Sequence, residues 1–214
     1  MEETSFDSAQ NGATDNPRRE AVLRCAREAF VTQGYAAAKV EPIARDAGVS
    51  TATLYALFDG KAGLFSAVID HAADEFADRV RGFDIGGGDA REQLLRFCRA
   101  YADFMGDPLV RSVFRLVISE RRRFNDVANR FVERGRSDFG AVLIRILEDL
   151  VDAGGLAPIA KPSRAAGQLL GMIEHTVFFV PLVSGEDLKI RQTRAEIVED
   201  AVETFLARYG ARQG

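Results

Sequence analysis

Apolar positions recur at helical spacing along nearly the whole chain, and the breaks between these runs predict where helices begin and end. Ala21, Val22, Cys25, Ala26, Ala29 and Phe30 share one face, as an amphipathic helix requires. Asn16-Pro17 ahead of them offers a cap and then a proline already set for a first helical turn. A first helix is therefore expected from Asn16 to Gly34. Residues 1–15 carry Glu2, Glu3, Asp7 and Asp15 without such periodicity and are expected to form a disordered leader. Val40, Ile43, Ala44 and Ala47 predict a short second helix that Gly48 stops, and Ser50 is a suitable cap for a short third. On that third helix Leu54, Leu57 and Phe58 are expected inward, with Thr51, Thr53, Tyr55 and Ala56 outward.

Leu64, Phe65, Val68, Ile69, Ala72, Ala73, Phe76 and Val80 predict a long fourth helix ending in Gly82-Phe83-Asp84-Ile85-Gly86-Gly87-Gly88-Asp89. Further runs follow over 94–105, 113–118 and 127–150. Two strongly apolar helices are then expected over roughly 164–183, capped by Ser163, and 188–209. No segment alternates as a strand would, so the fold is expected to be all-α with about nine helices. The domain boundary is expected at the 86–88 glycines or within the preceding helix. We set the leader at 1–15, a three-helix domain at 16–62 and a larger helical domain at 63–214.

Composition narrows the function classes. Of 214 residues 47% are hydrophobic, enough for a sizeable core. A net charge of −4 argues against indiscriminate polyanion binding, which needs a basic surface to release counterions. No run of roughly 18 apolar residues is found and the N-terminus is acidic, so a cytoplasmic protein without a membrane segment is expected. Cys25 and Cys98 lie in apolar helical patterns with no Cys or His at metal-ligand spacing, which gives no metal and no cofactor. Two histidines, no Ser-His or Cys-His constellation, no HExxH and no Gly-rich loop after a strand leave little for an enzyme to use.

The informative stretch is residues 43–65, IARDAGVSTATLYALFDGKAGLF. Two short helices joined by a glycine-containing turn and braced on both sides are what a helix-turn-helix needs. Through Gly34-Tyr35, Ile43-Ala44, Ala47-Gly48-Val49-Ser50, Thr53-Leu54-Tyr55, Phe58, Lys61 and Leu64-Phe65, the chain resembles the TetR family of bacterial transcription regulators. That resemblance implies that Ser50 opens the recognition helix, that Thr51 and Thr53 meet base edges or phosphate, and that Tyr55 and Lys61 contact the DNA backbone. Lys39, Arg45, Arg18 and Arg19 are further phosphate candidates. From 17 to 61 there are seven Lys or Arg against five Asp or Glu, a local excess of basic charge in an acidic chain. Ala52, Ala56 and Leu57 leave the reading face short of hydrogen-bonding groups, so shape and phosphate contacts are expected to outweigh direct base readout.

The stretch containing Phe114, Arg115, Glu120, Arg123, Phe124, Phe131 and Gly135, with the later Gly154-Gly155-Leu156, is similar to the C-terminal domain of the AefR-like TetR subgroup. Aromatic and flexible side chains are dense there. Phe97, Tyr101, Phe104, Met105, Phe114, Ile118, Phe131, Met172, His175 and Phe178 are the pocket candidates for a largely apolar small-molecule effector, though packing explains most such residues. His175 and Tyr101 are the polar ones. Arg121-Arg122-Arg123 reads as a helix junction of solvated charges, distant from the motif along the chain. Two reading heads require a homodimer on a pseudo-palindromic double-stranded operator. Its interface is expected at Leu169, Val177, Val180, Val198, Val202 and Phe205. These features together predict a ligand-responsive DNA-binding regulator, most simply a repressor released by its effector. The alternative is a helical protein-interaction adaptor that keeps the scaffold.

Overall fold

The computed structural model describes the backbone of residues 7–82, 87–184 and 191–211, with side chains from residue 17 onward. Nine helices occur among them: α1 (Asp7–Ala37), α2 (Val40–Asp46), α3 (Thr51–Leu57), α4 (Gly60–Arg81), α5 (Ala90–Met105), α6 (Pro108–Ser119), α7 (Asn125–Asp152), α8 (Pro162–Ser184) and α9 (Arg194–Tyr209). The only extended pairing among the described residues is an isolated bridge between Leu156 and Gly210. The all-α expectation holds.

Several helix ends differ from those read in the sequence. α1 runs back to Asp7, so Pro17 lies inside a helix instead of opening one at Asn16. Ala9, Gln10 and Ala13 are adequate helix formers, and a helix satisfies its own backbone without a partner; the first six residues of the expected leader lie outside the described residues. Gly34 (φ 76°) breaks α1 as expected. α8 starts at Pro162 with Lys161 ahead of it, so Ser163 sits in the first turn and caps nothing. The last helix begins at Arg194, not near 188, because Thr193 and Glu196 form a reciprocal capping box. Positions 188–190 and Gly86 lie outside the described residues.

α8 carries a π turn at His175–Phe179. Its buried residues Ala165, Leu169, Ile173 and Val177 recur every four positions, and at 3.6 residues per turn each such step drifts by about 40°. A wide π turn takes up that drift and keeps Val177 on the buried side. By length and composition Pro162–Ser184 is also apolar enough to cross a membrane, with only 22% of its most apolar window buried. The sequence reading missed this because Arg164, Glu174 and single polar residues interrupt the run.

The chain divides into two compact units. The first comprises the residues up to Asp74 together with Leu116–Phe131; the second comprises Glu75–Arg115 and Val132 onward. In the second, α9 packs on α5 and α8 through Ile197, Val198, Ala201, Val202 and Phe205. Arg91–Glu203, Arg99–Glu199 and Arg194–Asp103 pair along the α5–α9 rim at 3.3–3.5 Å. These exposed pairs orient the helices and add little stability. Arg194 and Arg111 both donate to the Gly106 carbonyl at the end of α5 (3.0 and 2.6 Å), and a Cβ at Gly106 would meet the Arg194 guanidinium at 2.6 Å.

Candidate functional site

In the first unit α2 and α3 are joined by Ala47–Ser50, where Gly48 takes a left-handed conformation (φ 70°) that disfavours other residues. Ser50 caps α3: its Oγ accepts from the Thr53 backbone N–H at 3.0 Å and shares a 2.8 Å hydrogen bond with the Thr53 hydroxyl. Leu54 alone of α3 is fully buried, with Phe58 just beyond the helix. Thr51, Ala52, Tyr55 and Ala56 are exposed along one side, Tyr55 by 52%. Thr53 and Leu57 are half-buried, Thr53 because its hydroxyl serves the cap.

Two of the cations around this helix lie over aromatic rings. Arg19 of α1 lies over Phe58 (5.2 Å to the centroid), and Lys61 at the start of α4 lies over Tyr35 (4.7 Å) while donating to the Ala36 carbonyl (3.2 Å). Beneath them Phe30, Tyr35, Phe65 and Phe124 form one cluster, with Phe65 stacked on Phe124 at 4.4 Å and Tyr35 edge-on to Phe124 at 4.9 Å. Phe124 and its neighbour Arg123, which covers Tyr35 at 5.1 Å, come from the turn between α6 and α7. The sequence reading left that turn out of this unit, since nothing in local spacing reports a fold-back across some sixty residues. Lys39 and Arg18 are exposed, and Arg45 pairs with the adjacent Asp46 at 3.3 Å while both remain solvated.

The pocket candidates of the second unit do not all come together. Phe97 stacks on Tyr101, Tyr101 and Phe104 meet Phe139 at 5.0 and 4.9 Å, and Phe114 meets Phe178 at 4.8 Å. Met105 is buried and Met172 half-buried. Ile118 and Phe131 fall in the other compact unit, and Ile118 is exposed because the buried side of α6 is Val110, Val113, Leu116 and Val117. His175, read as a polar contact in a pocket, is instead exposed and stacks on Phe179 one turn later. The polar contact belongs to Glu174, which the sequence reading missed. The Tyr101 hydroxyl donates to its carboxylate. Burial first, then the Glu174 charge and hydrogen bond, push the Tyr101 hydroxyl well above its usual range. Burial likewise pushes the Cys98 thiol up to about 12.

The expected dimer residues also need correction. Leu169, Val177, Val198, Val202 and Phe205 are buried within the single chain, and only Val180 keeps part of its surface. The apolar side of α9 is covered by α5 and α8, whereas α8 keeps apolar surface of its own. Among the outward residues of α8, Gly167, Gly171, His175, Phe179 and Val183 form one stripe at four-residue spacing.

With this geometry in hand, comparison with known proteins is direct. A profile for bacterial regulatory proteins of the tetR family matches residues 22–68, and one for the AefR-like transcriptional repressor C-terminal domain matches residues 92–211. The chain belongs to the TetR family. A TetR-family transcriptional regulator of Mesorhizobium loti superposes with a TM-score of 0.81 over 96% of this chain and all of that one at 24% identity, which shows the shared fold. The flavonoid-responsive regulator FrrA is 28% identical, with a TM-score of 0.72 over 92% of this chain and 98% of its own. The transcriptional activator FasR of Mycolicibacterium smegmatis is 38% identical over 88 residues, 41% of this chain and 40% of FasR. The chain thus spans less than half the length of the curated relatives it matches. As a TetR-family transcription regulator, it carries its DNA-binding helix-turn-helix on α2 and α3.

Proposed function

We propose that this TetR-family chain acts as a homodimeric repressor that binds a pseudo-palindromic operator and leaves it when an effector occupies the second unit. The observation that carries the reading is the outward side of α3, where Thr51, Ala52, Tyr55 and Ala56 stand clear of the protein on a helix pinned by Ser50, Leu54 and Phe58. A helix of this kind fits a major groove about 12 Å wide. Thr51 and the two alanines can pack on thymine methyls, while Tyr55, Lys61, Arg19, Arg18, Lys39 and Arg45 serve phosphates. Thr53 acts chiefly through the cap. A base-substitution scan of the operator is expected to show shallow penalties; several sharp guanine positions of about 2–3 kcal/mol would contradict the shape-dominated reading.

The homodimer is supported by the α8 stripe, whose apolar end, Phe179 and Val183, is 51% and 71% exposed in the single chain. Two copies packed across it would bury that face and present two α3 helices to half-sites roughly 34–36 Å apart or a multiple. The effector reading is supported by the aromatic cluster of Phe97, Tyr101, Phe104 and Phe139 and by the Phe114–Phe178 pair. Aromatic side chains of this kind would suit a largely apolar molecule, with the Tyr101–Glu174 pair as its polar reference. FrrA, by its name, answers to flavonoids. A ligand that prefers the conformation unable to seat both heads releases the DNA.

A gel-shift series at rising salt tests the central claim. Duplex binding that weakens steeply with salt and is lost on Thr51→Ala with Tyr55→Phe supports it; a chain that leaves duplex DNA alone and captures a protein would be the adaptor instead. The direction of control is read by a promoter fusion in cells lacking the gene, where repression predicts a rise in expression.

A further inference from the structure

We infer that the turn between α6 and α7, Arg121-Arg122-Arg123, is a second phosphate-binding site that grips the backbone of the duplex read by α3. The inference rests on the DNA-binding reading above. The turn belongs to the same compact unit as α2 and α3, and Phe124 anchors it between Tyr35 and Phe65. All three arginines are exposed. Arg123 and Lys61 share the Tyr35 ring at 5.1 and 4.7 Å, so their charges lie within about 10 Å of one another. No carboxylate pairs with Lys61, Arg121, Arg122 or Arg123 among the described residues, whereas nearby Arg130 is committed to Asp70 at 3.4 Å. Like charges held within about 10 Å of each other without a counter-ion are relieved by an anion.

The placement of both cations over the Tyr35 ring suits that anion. A guanidinium lying over an aromatic face keeps its N–H groups free in its own plane, where they match phosphate oxygens two at a time. One strand of a duplex carries a phosphate every 3.4 Å or so of axis, so Lys61 and Arg123 can serve neighbouring phosphates of one strand. The contacts with the Tyr35 ring hold both cations before the DNA arrives, which lowers the ordering cost of long side chains. Glu120 and Asp126 flank the run and reduce its net charge to one, and that suits a local grip over a broad basic surface.

The test uses the full-length protein and a labelled duplex selected by the wild type from a random-sequence pool, with affinity followed over a range of salt. Arg123→Gln should lower the slope of log affinity against log salt by about 0.9 per half-site, and Arg123→Lys, which keeps the charge, should restore it. Arg121→Gln with Arg122→Gln, two exposed positions that leave the thermal midpoint unchanged, should also lower the slope and stands in if Arg123→Gln unfolds. Unchanged slopes in both variants overturn the inference while a salt-dependent wild type leaves the operator reading intact. So does a loss equal at every salt concentration that Arg123→Lys fails to rescue, since bracing of Tyr35 would produce it. A wild type that selects no duplex sinks both.

Discussion

Single side chains decide whether the reading helix is in place, and the strongest of them was legible in the sequence. Ser50 was read as a cap, and its bond to the Thr53 N–H at 3.0 Å fills that role. Ser50→Ala should cost about 1 kcal/mol in urea unfolding, and Gly48→Ala, at φ 70° with open space around it, about 1–2 kcal/mol through the backbone alone. A midpoint unmoved by either change would mean that α3 is held by Leu54 and Phe58 without its turn. Buried titratable groups give a pH signature of their own. The Cys98 thiol holds its proton up to about 12, against an ordinary 9.0, because burial penalises the thiolate. Unfolding releases it to ionise, so stability is full below pH 9 and falls as pH rises towards 12, by up to about 1.4 kcal/mol per unit. Tyr101, shifted in the same direction, adds to the fall only above its ordinary 10.0. Cys98→Ala should therefore flatten the stability profile between pH 9 and 10, and a profile as steep as the wild type's would assign the proton elsewhere. Neither Glu174 as the partner of Tyr101 nor the exposure of His175 could be read from the chain. The two are neighbours in sequence, and which one turns inward depends on the rotation of α8 at its π turn.

At the level of elements, periodicity reports which side of a helix is apolar and is silent on what covers it. The runs behind α2, α4 and α7 were read correctly because each has one apolar side and a strong stop, at Gly48, Gly82 and Gly154. For α9 the same information misled. Val198, Val202 and Phe205 read as surface left over for a second copy, yet α5 and α8 of the same chain cover them completely. Phe205→Ala should consequently destabilise the folded chain by about 3–5 kcal/mol in chemical denaturation, independent of protein concentration. A loss that grew on dilution would return Phe205 to an intermolecular role. The turn carrying Phe124 illustrates the complementary blind spot, since a residue's partners sixty positions away leave no trace in local spacing.

At the scale of the whole molecule, the proposed operator reading requires a chain with a net charge of −4 to present two reading heads at once. One α3 covers only a half-site. In the homodimer proposed above, the outward stripe of α8 would join the two copies: Gly167 and Gly171 would let backbones approach, and Phe179 and Val183 would bury apolar area that water otherwise meets. The same stripe accounts for a helix that by composition could enter a membrane yet is only lightly buried in the single chain. Phe179→Glu places a charge on the apolar end of that face, where pairing of two copies would bury an unpartnered carboxylate on each. The variant should keep its helical circular dichroism, since Phe179 is half exposed and outside the core, and should run at half the wild-type mass in light scattering. Its operator affinity should drop about 10²–10⁴-fold, because the second head loses the advantage of being tethered to the first. An unchanged mass would move the interface off α8, and a monomeric wild type would remove the two-headed operator with it.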